Sequence, residues 1–119
     1  MLDENQIIED LLCLNSSIVH DALRTENYIN QTLPHEIKPL KFEKVIAGKI
    51  WTISGSLKNN ITEKETLLSW TDFLSKAKSN SIIVCQPNNY EIALMGELSA
   101  ETLKIKNIRG YISDGGCRD

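Results

Sequence analysis

The alternation of helical and strand-like segments in this 119-residue chain predicts an α/β domain built around a largely parallel sheet. Three observations lead there. Apolar, strand-like runs occupy residues 45–54, 81–85 and 110–113. Two stretches of helical periodicity separate them, and two further short helical stretches precede them all. No internal repeat or low-complexity tract interrupts this order.

Asp3 stands where it would cap a first helix, in which Ile7, Ile8, Leu11 and Leu12 recur at helical spacing. Asn15-Ser16-Ser17 breaks that helix and offers a fresh cap. Ile18, Val19, Ala22 and Leu23 then make a short second helix that ends near Arg24. Residues 25–31 are polar, and Pro34 and Pro39 make the following segment extended and irregular. Residues 45–54 read as the clearest strand, with Gly48 a bulge or a point of close backbone approach. Thr62 with Glu65 forms a capping box. Behind it Leu67, Leu68, Trp70, Thr71, Phe73, Leu74 and Ala77 line one broad helical face, which Ser79-Asn80 ends. After the apolar strand 81–85, Pro87-Asn88-Asn89 turns the chain. The next helix opens near Ala93 or only at Gly96, with Ala93, Leu94, Leu98, Leu103 and Ile105 as core candidates. A short strand at 110–113 follows, and Gly115-Gly116 permits positive φ and a tight turn.

Length allows one modest domain, taken as residues 1–119. Net charge is −3 with a pI near 5.4, which gives no reason to expect direct nucleic-acid binding. No apolar run approaches the roughly 20 residues of a membrane span, and the acidic N-terminus lacks the basic start of a secretory signal. Cys13, Cys85 and Cys117 are odd in number and form no C-x-x-C pair. They read as reduced thiols of a cytoplasmic protein, with Cys13 and Cys85 as small core residues. Cys117 has no histidine nearby in sequence to make it a nucleophile. His20-Asp21 reads as a structural or interfacial pair, His35 as a surface residue, and Trp51 and Trp70 as core or subunit-interface anchors. No zinc spacing, phosphate loop, dinucleotide fingerprint or nucleophile elbow is present.

Chemistry concentrates at two places near the C-terminus. Gly96-Glu97-Leu98-Ser99 can open a helix, whose first N–H groups bind anions. Arg118-Asp119 offers a planar guanidinium for a carboxylate and a carboxylate for a hard divalent cation. Brought together, these groups suit a small α-keto acid with Mg²⁺. Each also has a plainer reading. Arg118 and Asp119 form a charged pair after a strand, Glu97 is an acidic first-turn residue favoured by the helix dipole, and Asp114 caps the turn at Gly115-Gly116.

The run Gly96-Glu97-Leu98-Ser99-Ala100, followed by Gly110-Tyr111-Ile112-Ser113-Asp114-Gly115-Gly116-Cys117-Arg118-Asp119, resembles the RraA-like family. Val19-His20-Asp21-Ala22-Leu23, Ile37-Lys38-Pro39-Leu40 and the segment from Ala47-Gly48 to Thr52 also match that family's motifs, in the same order. The family contains 4-hydroxy-4-methyl-2-oxoglutarate aldolases that also decarboxylate oxaloacetate, and protein regulators of ribonuclease E activity. The resemblance implies a three-layer β/β/α swivelling-domain fold and ring-shaped homotrimers or hexamers. It also implies a lyase that releases pyruvate with the help of Mg²⁺, Mn²⁺ or another divalent metal. In that reading Asp119 holds the metal and Arg118 stabilises negative charge on the substrate. Gly96, Glu97, Leu98 and Ser99 bind the substrate, and Glu97 orients a metal-bound water as proton donor. The alternatives are a non-catalytic protein that docks on a ribonuclease and an inactive truncated relative. Family chains continue past the Arg-Asp pair, so the fold is expected to be incomplete at the C-terminus, with the last strand partly unpaired and the fragment alone unstable or inactive.

Overall fold

The computed structural model describes residues 3–118. The chain divides into two compact units, Ala47 closing the first and Gly48 opening the second.

The first unit contains helices α1 (Glu4–Leu12) and α2 (Ser16–Thr25). Asp3 occupies the cap position of α1, but its side chain makes no capping hydrogen bond. Asn15 caps α2 as its sequence predicts, accepting from the Ile18 N–H at 3.0 Å. α2 ends because Asn27 enters the left-handed region (φ 65°). The Tyr28 N–H then reaches back to the Leu23 carbonyl at 2.9 Å and the Asn27 N–H to the Arg24 carbonyl at 3.0 Å, which is a Schellman cap. Ile8 is buried, whereas Ile18, Tyr28, Ile29, Leu33, Leu40 and Phe42 are exposed. Cys13 is exposed too, so it is not the core residue its apolar neighbours suggest.

The second unit is a βαβαβ run: β1 (Lys49–Ser54), α3 (Glu63–Lys76), β2 (Ser81–Gln86), α4 (Glu97–Ile105) and β3 (Gly110–Ser113). The sheet is parallel throughout, in the order β1-β2-β3, as the alternation predicts. Its register aligns Trp51 with Ile83 and Ile83 with Tyr111. That row forms the floor of the core, with Ile83 fully enclosed. Leu74 of α3, Ala77 at its C-cap, Leu103 of α4 and Met95 pack against it, flanked by Trp70 and Phe73. Both helices therefore cover one face of the sheet, as expected when consecutive parallel neighbours are joined by crossovers of one hand. Trp51 stacks on Phe73, with ring centroids 5.4 Å apart, and Phe73 meets Trp70 at a tilt, with centroids 4.8 Å apart.

Three expectations are corrected here. The strand does not begin at residue 45 but at Lys49. Its partner starts at Ser81, directly after Asn80 in a left-handed conformation (φ 63°), so residues 45–48 have no ladder to join. Leu67, Leu68, Leu98 and Ile105 lie on helices but face solvent. Finally, no glycine among the described residues has positive φ. Gly115 is required for space instead, since a Cβ there would lie 2.4 Å from Pro87 Cγ. Gly48 is a point of close approach as expected, with a Cβ position 3.0 Å from the Asn80 carbonyl oxygen.

Candidate functional site

In an open parallel sheet, ligands bind beyond the carboxyl ends of the strands. Here the chain segments leaving those ends are knitted together. The Gly55 N–H bonds the Gln86 carbonyl at 2.9 Å, and the Asp114 N–H bonds the Cys85 carbonyl at 3.2 Å. Asn88, in the left-handed region at φ 54°, donates through Nδ2 to Ser54 Oγ (3.1 Å) and the Gly55 carbonyl (2.7 Å). Asn89 is buried, and its Oδ1 accepts from the Ile92 N–H at 2.8 Å, shaping the approach to α4. The Tyr90 hydroxyl donates to Asp114 Oδ1 at 3.3 Å. Asp114 thus links to the loop after β2, where a cap of its own turn was expected.

α4 starts at Glu97, so of the two starting points the sequence allows, the later is the observed one. Gly96 is its N-cap, in an extended conformation, and no side chain caps it. The first intrahelical bond runs from the Ala100 N–H to the Gly96 carbonyl at 3.0 Å, which leaves the N–H groups of Glu97, Leu98 and Ser99 without partners inside the helix. Glu97 and Leu98 are exposed, and Ser99 is half-buried. Ser99 Oγ accepts a hydrogen bond from the Trp70 indole N–H at 2.8 Å.

Arg118 arrives beside this helix start. Cys117 forms an isolated parallel bridge with Met95, and the Arg118 N–H bonds the Met95 carbonyl at 3.0 Å. Met95 immediately precedes Gly96, so the backbone brings the two predicted halves of the site together through an extra rung of sheet-like pairing. The Arg118 side chain is exposed. Asp119, the expected metal ligand, lies outside the described residues. Among the described residues no group of three or more His, Cys, Asp or Glu side chains is placed to hold a metal ion. Cys117 is exposed, and Cys85 is buried one position from the end of β2.

Sequence reasoning missed three contributors: Trp70, Asn88 and Tyr111. Tyr111 faces the core row with its hydroxyl enclosed and without a hydrogen-bond partner among the described residues. Burial, reinforced by the neighbouring Cys85 thiol, pushes its phenol well above the ordinary tyrosine range, so it stays protonated at neutral pH. None of these three carries a local motif, because each acts through partners remote in sequence.

No helix among the described residues is long and apolar enough to cross a membrane. A search of curated proteins finds no match. A solved structure described as that of novel cellulases from microbes associated with the gut ecosystem superposes with a TM-score of 0.87 at 24% identity, over 99% of this chain and 53% of that one. The chain therefore spans about half the length of that protein, and at this identity the likeness speaks for the fold alone. The profile of the RraA-like family, described as Aldolase/RraA, matches residues 16–119. That span covers α2 and the whole βαβαβ unit with its Gly96–Arg118 convergence, and the chain is a member of the RraA-like family.

Proposed function

We propose that this protein is a carbon–carbon lyase that releases pyruvate from a small α-keto acid, either 4-hydroxy-4-methyl-2-oxoglutarate or oxaloacetate. The observation that supports this reading is the Arg118 N–H bond to the Met95 carbonyl, which sets a guanidinium-bearing residue next to the uncapped start of α4. Membership in a family described as Aldolase/RraA, which includes lyases, supports this choice of reaction class.

The backbone N–H groups of Leu98 and Ser99 would receive the substrate carboxylate, helped by the positive end of the α4 dipole. Gly96 lets that carboxylate approach without a side chain in the way. Arg118 would pair with substrate oxygen and offset the negative charge that develops as the carbon–carbon bond breaks. In oxaloacetate that bond joins the leaving carboxylate to the methylene carbon. Its electron pair stays with the keto acid, carbon dioxide departs, and a proton returns to the methylene carbon to give pyruvate. Glu97, exposed on the first turn, would orient the water that delivers this proton.

A divalent metal fits this donor set only sparsely. The described residues form no cage of three ligands, but Mg²⁺ commonly takes one or two carboxylates and keeps several waters. Asp119, next to Arg118 in the chain, would hold it, with waters and the substrate completing its shell. When bound, it would act as a Lewis acid on the keto oxygen. By family analogy the working assembly is a ring of three or six copies.

The test is pyruvate release by the full-length protein from each substrate, with Mg²⁺ and with chelator, for wild type and for Arg118→Ala and Asp119→Ala. Loss of release on chelation and in both variants is expected. Release indifferent to all three treatments would remove the lyase reading. A folded wild type with no release from either substrate would favour the protein-docking regulator.

A further inference from the structure

The bond between Trp70 and Ser99 joins the middle of α3 to the third residue of α4, 29 positions apart in sequence. An indole N–H is only a donor, whereas a serine hydroxyl can accept and donate. The geometry therefore fixes the roles: Ser99 Oγ is the acceptor, at 2.8 Å. Among the described residues the Ser99 hydroxyl donates to nothing, although the Met95 carbonyl lies four residues back, where a helical serine commonly turns. That carbonyl is engaged by the Arg118 N–H instead. Trp70 is itself held from behind, with its ring against Phe73 and Phe73 against Trp51.

We propose that Trp70 is a positioning residue of the α4 site. Its N–H anchors Ser99 Oγ, so that the hydroxyl hydrogen is kept for an oxyanion at the uncapped helix start, beside the Glu97 and Leu98 amides, which have no partner inside the helix. This rests on the keto-acid reading of that site and adds a donor to it that is a side chain and not a backbone amide. It also makes the α3 indole a reporter of what binds at the start of α4.

Four forms of the full-length protein test the idea: wild type, Trp70→Phe, Ser99→Ala and the double variant, with Ser99→Thr as the conservative control. Trp70→Phe keeps a ring in the stack and removes only the donor. Each single change should lower kcat/KM for oxaloacetate about tenfold, the scale of one lost hydrogen bond. The double variant should lose no more than either single one, and Ser99→Thr should retain most activity. Independently of turnover, oxalate should shift the indole N–H resonance that Trp70→Phe deletes from the ¹H–¹⁵N spectrum. Additive losses overturn the proposal. So does a Trp70→Phe protein with a lowered melting temperature but an unchanged kcat/KM. An indole resonance that stays put while calorimetry shows oxalate bound also overturns it, and leaves the keto-acid reading standing. A wild type that neither binds oxalate nor releases pyruvate brings down both.

Discussion

The two crossover helices begin at the same edge of the same sheet, and they begin in opposite ways. α3 is sealed. Thr62 Oγ1 accepts from the Glu65 N–H at 3.2 Å, while the Glu65 carboxylate takes the Thr62 N–H at 2.8 Å and the Thr62 hydroxyl at 2.7 Å. These hydrogen bonds, the backbone one foremost, hold the Glu65 carboxyl below its ordinary pKa. α4 has a glycine at the same position and no side chain over its first amides. A helix start closed by its own residues serves stability, and one left open has its donors available to water or to a ligand. On the proposed reading, the contrast between Thr62 and Gly96 divides scaffold from candidate site within a single βαβαβ unit.

The largest effect that would sharpen this contrast comes from the residue found at only one of the two starts. Arg118→Ala should cut kcat/KM for oxaloacetate by about 10²–10³, as does removal of a well-aimed charge-stabilising donor elsewhere, while the melting temperature stays within a degree or two. A loss of activity that merely tracks a loss of fold would break the comparison. Next comes closing the open start. Gly96 has φ −142° and ψ 178°, a conformation any residue adopts, so Gly96→Asp should fold normally. It should raise thermal stability slightly, by a few tenths of a kcal/mol, yet raise KM about tenfold or more by setting a negative charge where the proposed substrate carboxylate would sit. If KM is unchanged, the start of α4 is not where the anion binds.

The converse change is smaller in its reach. Thr62→Ala should cost about 1 kcal/mol of stability, read by denaturant unfolding, and leave kcat/KM as it was. The smallest effect is one of pH. Because the folded carboxyl of Glu65 is depressed, its contribution is present above the ordinary glutamate range and fades as pH falls through the lowered value. The stability difference between wild type and Glu65→Ala should therefore shrink on acidification from neutral pH. A difference that grows instead would mean that the carboxylate is not the bonded form.

Much of this contrast is legible in the residues themselves. Thr62 and Glu65 spell a capping box within four positions, and the β-branched runs at 45–54 and 81–85 announce strands. What stays hidden depends on partners far along the chain. The run from Val45 looks as strand-like as the run from Lys49, but only the latter has Ser81 and its successors to bond with. Leu67, Leu68 and Leu98 satisfy helical periodicity, yet the stripe that reaches the sheet is narrower and passes through Trp70, Leu74 and Leu103. Gly115 suggests a turn with positive φ, and its true constraint is the ring of Pro87. At the site, Gly96 to Ser99 and Arg118 show up as motifs, while their meeting is made by one short rung at Met95 and Cys117. The Trp70–Ser99 bond has no sequence signature at all.

Lys106, just past the end of α4, extends its ammonium to the carbonyl oxygens of Leu74 and Ser75 in the last turn of α3. Together with the indole–serine bond, this fastens α4 to its neighbour at both of its ends. A rod pinned once can pivot, and a rod pinned twice cannot. The mouth of α4 is thereby aimed by its whole length, and an acyl group on the Lys106 amine would unfasten the far pin and let the helix pivot about the near one, changing the tilt of the mouth without touching a single residue of it.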